Sequence, residues 1–241
     1  MTLMNEYELK RCRNFDENYK IITDKISNAA IRSGRTADEV TLLAATKTVE
    51  PKVISYAFNQ GLQYMGENRV QEFLSKEDEL PEKMHKQFIG TLQTNKVKQI
   101  VGKVELIQSV DSIKLAREIS KQSEKLGITT NVLVEINIGN EITKSGIEVE
   151  RLDEILDELS KINAINVKGL MTLGPLGAEN NKKIEIFEKM HKLFVDNRTK
   201  NCDNVSMDIL SMGMSDDYDI AIECGSNMVR VGTALFGRRV Y

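Results

Sequence analysis

The chain opens with apolar positions at three- and four-residue steps. Tyr19, Ile22, Ile26 and the Ala29/Ala30 pair recur with charged residues between them. That spacing predicts one amphipathic helix over about residues 5–33, ended by Gly34. Beyond it the pattern changes to short apolar runs alternating with amphipathic stretches. The runs predict strands at 40–46, 62–66, 87–90, 104–109, 131–138, 167–171, 205–210 and 228–231. Helices are predicted after Pro51, from about Arg69, over 95–100, from an Asp111 cap to Leu126 with Gly127 as the stop, and over 149–161, 181–195 and 217–223. Such alternation means a parallel sheet, and eight units of roughly 25 residues close into a (β/α)8 TIM barrel, an α/β fold. An open doubly wound sheet is the alternative, but no GxGxxG follows the first strand, which disfavours its dinucleotide-binding form. No linker or low-complexity tract interrupts the pattern. Residues 1–241 therefore read as a single domain, with the first helix packed outside a barrel running over about 40–241.

Composition narrows the chemistry. Lys+Arg 33 against Asp+Glu 36 gives a net charge of -3, which offers a polyanion no basic surface and makes nucleic acid a poor expectation. No apolar run approaches the ~20 residues that span a membrane, and the first residues lack the basic and apolar regions of a signal peptide. The three cysteines, Cys12, Cys202 and Cys224, are far apart with no CxxC; they read as free thiols in a reducing cytoplasm. Only two histidines are present, which disfavours a His-rich zinc site and a His-based triad.

In such a barrel, functional side chains gather at the C-terminal ends of the strands. Lys47 ends the first predicted strand on the side of Leu43 and Ala45. A desolvated amine there could attack a carbonyl; the alternative is a strand-end lysine reaching water. Arg230 lies between Val229 and Val231, so it points into the barrel if the valines face the helices. A buried guanidinium needs an acceptor, either an anionic ligand or an inward carboxylate such as Glu135. Loops after the last two strands are the usual phosphate seat of this fold, and both carry glycine and hydroxyl residues: Gly213 and Ser215 in one, Gly232 and Thr233 in the other. Ser215 could equally cap a helix. Lysine, arginine and phosphate seat together describe a pocket for a phosphorylated carbonyl compound, and pyridoxal 5′-phosphate (PLP) fits all three.

Several motifs now carry a family resemblance. In order along the chain they are residues 45–48 (Ala-Thr-Lys-Thr), 66–72 (Gly-Glu-Asn-Arg-Val-Gln-Glu), 88–96 (Phe-Ile-Gly-Thr-Leu-Gln-Thr-Asn-Lys), 144–147 (Lys-Ser-Gly-Ile), 169–172 (Gly-Leu-Met-Thr), 211–217 (Ser-Met-Gly-Met-Ser-Asp-Asp) and 229–237 (Val-Arg-Val-Gly-Thr-Ala-Leu-Phe-Gly). They resemble the pyridoxal phosphate homeostasis protein family (YggS/PROSC type), from about Val40 to Tyr241. That family is similar to the barrel domain of alanine racemase without its C-terminal β domain. The resemblance implies a PLP-binding protein of intracellular vitamin B6 and amino-acid homeostasis, generally regarded as non-catalytic. It implies that Lys47 holds PLP as a Schiff base, that Ser215, Gly232 and Thr233 hold the phosphate, that Arg230 faces the pyridine nitrogen and that Asn68 lines the pocket. Gln87 departs from the His usual before Phe-Ile-Gly, so the resemblance does not carry an acid–base role to that position, while PLP binding is unaffected.

Arginine only donates hydrogen bonds, so a ring nitrogen facing Arg230 stays unprotonated and the ring is a weak electron sink. That suits a carrier passing PLP to apo-enzymes through transient contacts, or racemisation that avoids a long-lived carbanion, better than transamination. The enzyme alternative is an amino-acid racemase, which needs a second acid–base group opposite Lys47. In alanine racemase a tyrosine of the partner's extra domain fills that role; Tyr64 and Tyr218 are expected to have packing or surface roles instead. A Schiff-base aldolase is the third reading. Without the second domain the expected state is a monomer, and no metal is expected, since Asp216 and Asp217 suit a helix start.

Overall fold

The computed structural model describes residues 4–139, 145–175, 177–198 and 204–237. The first helix, α1, spans Glu6–Arg32; Asn5 and Glu8 close a capping box at its start. Ser33 caps its end, and Gly34 follows at φ 73°. Its buried stripe includes Phe15, Ile22, Ile26, Ala29 and Ala30.

Eight parallel strands follow: β1 Thr41–Ala45, β2 Tyr64–Glu67, β3 His85–Phe88, β4 Leu106–Val110, β5 Thr130–Glu135, β6 Ile165–Met171, β7 Val205–Ser211 and β8 Met228–Val231. They form a closed barrel in chain order, completed by the β1–β8 ladder that pairs Leu43 with Arg230. Between and after them lie α2 Pro51–Asn59, α3 Val70–Lys76, α4 Ile113–Leu126, α5 Leu152–Leu159, α6 Asn180–Asp196, α7 Tyr218–Glu223 and α8 Thr233–Phe236. The helix α1 packs outside the barrel against α2, α7 and α8, with Phe15 stacked on Phe236 of α8 at 5.7 Å.

Alternation along the strands divides the core. Ala44, Met65, Phe88, Ile107, Val132, Val134, Leu170, Leu210, Val229 and Val231 face the helices in one large cluster. Inside the barrel are two small apolar groups, Leu43–Ile89–Met228 and Leu106–Leu133–Met171. Between them the interior is polar, with Gln87, Gln108, Ser211 and Arg230 all buried.

Three expectations are corrected. The cap of α4 is Ser112, whose hydroxyl accepts from Leu115 N–H; Asp111 instead accepts from that hydroxyl. Residues 95–100 are not α-helical: Thr94–Gln99 is a 3₁₀ helix, whose three-residue repeat puts Val97 and Ile100 on one buried face. The turn after β8 holds a further short helix, α8, that the apolar pattern is too brief to signal. Among the described residues no helix is long and apolar enough to cross a membrane. Cys12 and Cys224 are free thiols; burial pushes both up, Cys224 to about 11, and Cys202 lies outside the described residues.

Candidate functional site

The predicted site residues all fall at the C-terminal ends of β1, β2, β7 and β8. Leu43 and Ala45 face the barrel interior, and Lys47 follows them two residues past the end of β1. It is exposed. The strand stops at Ala45 and the chain turns, so the amine emerges into the mouth instead of being desolvated within the strand.

The backbone on both sides of Lys47 is clamped. Thr46 is buried; its hydroxyl donates to Glu67 Oε1 at 2.8 Å, and its carbonyl accepts from Lys76 Nζ at 3.0 Å. Thr48 adopts φ 62°, in the left-handed region that a β-branched residue avoids. Its N–H donates to Glu72 Oε1 and its carbonyl accepts from Arg11 Nη1 of α1. Lys76 is itself buried, and its ammonium also reaches Glu67 Oε1 at 2.7 Å and Glu72 Oε1 at 2.8 Å. Burial raises the Glu67 carboxyl above the usual range despite the attraction of Lys76. Burial acts the same way on Glu72, but hydrogen bonds from Lys76 and the Thr48 N–H outweigh it and hold that group low. The sequence reading missed this clamp. Glu67 and Glu72 lay within a recognised motif, and the signal for Lys76 was its i+4 spacing from Glu72.

Across the mouth, Ser215 ties the last two loops together. Its Oγ accepts from the N–H groups of Gly232 and Ala234, each at 3.3 Å. Ser215 does not cap α7; Asp217 occupies that position and accepts from Met214 N–H at 2.7 Å. Gly232 lies against β1, where an added Cβ would stand 2.9 Å from the Ala45 carbonyl oxygen. Thr233 is exposed, and Lys47, Gly232 and Thr233 share one cleft with Arg11 and Phe236.

Arg230 points into the barrel, as the flanking valines predicted. It is 4 % exposed; Nη1 donates to Ser211 Oγ and Nη2 to the Thr172 carbonyl at 2.8 Å. Burial pushes its guanidinium down to about 10, opposed by the fields of Glu135 and Asp217. Glu135 is buried and inward, but its hydrogen bond comes from Ser145 Oγ at 2.7 Å, and burial raises its carboxyl. The guanidinium is thus held by two neutral acceptors. Asn68 follows β2, half-buried; its Oδ1 is buried with no partner, and its backbone packs so closely on Gly90 that a Cβ there would stand 2.1 Å from the Asn68 carbonyl oxygen.

Other candidates lie elsewhere. Tyr64 stacks on His85 at 4.5 Å at the N-terminal mouth of the barrel, and Tyr218 is buried in the outer core. Gln87 is buried in the interior near that same mouth.

Comparison with known proteins agrees with this fold. Residues 23–240 match the model of the alanine racemase N-terminal domain family. The chain is 44% identical to a pyridoxal phosphate homeostasis protein of Aquifex aeolicus over 230 residues, covering 95% of this chain and 100% of that one. A crystal structure of an unknown protein from Bifidobacterium adolescentis superposes with a TM-score of 0.89 at 33% identity, covering 98% of both chains. The structure of PipY from Synechococcus elongatus PCC7942 with PLP bound superposes with a TM-score of 0.77 at 30% identity, covering 90% of this chain and 100% of PipY. The chain belongs to the alanine racemase N-terminal domain family and, within it, to the pyridoxal phosphate homeostasis proteins.

Proposed function

We propose that this protein binds PLP at the C-terminal mouth of its barrel and serves PLP and amino-acid homeostasis without catalysing a reaction. The observation that carries this reading is the convergence of an exposed lysine, a cradle of hydroxyl and amide groups, and a buried guanidinium with neutral acceptors. The donor set fits PLP, and the unpartnered Asn68 Oδ1 is a further polar atom at the same end of the barrel. PipY, 30% identical and solved with PLP, supports it.

When bound, PLP supplies an aldehyde carbon open to attack by an amine. Lys47 supplies that amine, held in place by the clamp on Thr46 and Thr48. The hydroxyls of Ser215 and Thr233 would hold the phosphate, and Gly232, whose N–H donates to Ser215 Oγ, would let the backbone approach it closely. Arg230 would face the ring nitrogen; having donors and no acceptor, it would keep that nitrogen unprotonated. Asn68 lines the pocket beside the ring.

Racemisation by two bases would need a second proton donor facing Lys47. Tyr64 lies at the opposite mouth and Tyr218 in the outer core, which supports a carrier over a racemase. We extend the reading to a single-domain cytoplasmic monomer that hands PLP to apo-enzymes through transient contacts. The closed barrel, which leaves no sheet edge for pairing, supports the monomer.

The test is the visible spectrum of the protein mixed with PLP, followed by borohydride reduction and peptide mapping. A yellow band with the pyridoxyl label on Lys47 is expected, lost in Lys47→Ala. A colourless wild-type protein overturns the reading. Turnover of amino acids that Lys47→Ala abolishes would overturn the carrier role and establish the racemase.

A further inference from the structure

The polar residues inside the barrel form a single file between its two mouths. Arg230 Nη1 donates to Ser211 Oγ. Ser211 Oγ donates to Gln108 Oε1 at 2.7 Å. Gln108 Nε2 donates to Gln87 Oε1 at 2.6 Å. Gln87 Nε2 donates to Glu105 Oε1 at 3.0 Å, and the other oxygen, Oε2, lies 2.6 Å from His85 Nδ1. The four inner members, Gln87, Gln108, Ser211 and Arg230, are buried, whereas Glu105 and His85 are exposed at the N-terminal mouth, beside a cavity of about 420 Å³.

The direction of this chain is forced by its ends. A guanidinium has donors and no acceptor; a carboxylate has acceptors and no donor. Everything between must accept on the arginine side and donate on the glutamate side. The orientation of both glutamine amides therefore follows from the charged ends, independently of how amide oxygen and nitrogen are assigned. The apolar groups on either side, Leu43–Ile89–Met228 and Leu106–Leu133–Met171, flank the file, and the one partner they add is the weak acceptor Met228 Sδ, 3.1 Å from Gln108 Nε2 on the same donating side. In such surroundings aligned hydrogen bonds polarise one another, and a missing partner is costly. Among the described residues, the file's side-chain hydrogen bonds reach the C-terminal end of the barrel through Arg230.

We propose that Gln108 and Gln87 are positioning residues for Arg230, and that Glu105, at the opposite mouth, sets the polarity of the chain and thereby how firmly the C-terminal site retains PLP. The inference rests on the PLP reading above and adds a remote control point to it. With Glu105 in place, the Ser211 hydrogen is committed to Gln108 and its lone pairs are turned to the guanidinium. Without the carboxylate, the amides can reverse, Ser211 accepts from both sides, and its bond from Arg230 weakens.

The experiment uses the full chain loaded with PLP and follows the band position and the rate of PLP loss into a carbonyl trap. Wild type, Gln108→Leu, Glu105→Gln and the double variant are compared, with the melting temperature of each PLP-free protein. Loss of a hydrogen bond that supports a charged group predicts about tenfold faster release from Gln108→Leu, with a shifted band. Glu105→Gln, at an exposed position, is expected to release about threefold faster with an unchanged melting temperature. In the Gln108→Leu background Glu105→Gln should add nothing, because the file is already cut. Wild-type release and band position in Glu105→Gln overturn the proposal even where Gln108→Leu fails to fold. Fully additive effects in the double variant overturn it as well. A wild-type protein that never forms the band overturns the PLP reading and this inference with it, and that arm separates the two failures.

Discussion

At the residue scale, the lysine that reads as functional is held by residues that do not. Lys76 is a buried cation whose partners are the Thr46 carbonyl and the carboxylates of Glu67 and Glu72. Lys76→Met would leave Glu67 buried and uncompensated, with the Thr46 hydroxyl as the remaining donor to Oε1 and none to Oε2. Removing one partner of a buried pair costs about 3–5 kcal/mol, so chemical denaturation should show a loss of that order. Adding Glu67→Gln should recover most of it, because the stranded charge is gone. The Thr46 flank of Lys47 loses its tether in Lys76→Met, and Glu72, which holds the Thr48 flank, loses its own partner, so borohydride labelling of Lys47 should slow in that variant even where it remains folded. An unchanged denaturation midpoint would show that the cluster is not a structural clamp.

At the element scale, caps and close approaches fix where each segment stops. The helix α4 starts at the Ser112 hydroxyl and stops at Gly127, which takes φ 65°. Ser112→Ala should cost about 1 kcal/mol, read as a lower denaturation midpoint with an unchanged slope. Asp111→Ala should cost less, since its contact is with the Ser112 hydroxyl and not with the helix backbone. In β6, Gly169 takes φ 142° where the strand register shifts, and a Cβ would stand 1.9 Å from the Ile209 carbonyl oxygen. Gly169→Ala cannot be accommodated by a side-chain rotation, because the obstacle is backbone. A loss above that of Ser112→Ala is expected in the same denaturation assay. It would be accompanied by a disturbed Arg230 site, because Thr172, whose carbonyl binds Arg230, ends the same segment.

At the scale of the whole molecule, the interior of the barrel is charged as well as apolar, and this sets a pH dependence. Burial raises the Glu135 carboxyl above its ordinary 4.5, against the hydrogen bond from Ser145. A raised carboxyl binds its proton more tightly in the folded state than in the unfolded state. Its contribution therefore favours folding at low pH and is progressively lost as pH rises from about 4.5 through the folded value. Glu135→Gln keeps an acceptor for Ser145 and removes the charge. The variant should melt higher than wild type at pH 7–8, and the difference should shrink as pH falls toward 4.5. A difference that does not change with pH would show that packing, not ionisation, is responsible. Glu72 contributes with the opposite sign: held low by Lys76 and the Thr48 N–H, it favours folding above 4.5 and loses that contribution on acidification.

The barrel, its outer helix and the end at which the candidate residues gather were legible in the chain itself. Apolar runs and helical stripes are local patterns, and strands buried on one face by the helices and on the other by the barrel interior leave uninterrupted apolar segments such as Val132–Leu133–Val134. The inward aim of Arg230 was equally local, because two flanking valines on a strand leave one direction for the residue between them. What the sequence could not supply was pairing between residues far apart in it. Lys76 meets Thr46, Ser215 meets Gly232, and Gln108 meets Ser211 only once the barrel has closed. Each of these side chains has ordinary surface roles open to it in an isolated segment. Closure removes water from around them, and a buried donor must then find an acceptor wherever the fold has brought one. The sequence by itself determined the eight strands, the longer helices and the mouth at which the candidate residues gather. The tertiary structure decided which polar groups hold Lys47 in its turn, and which line of hydrogen bonds stands behind Arg230.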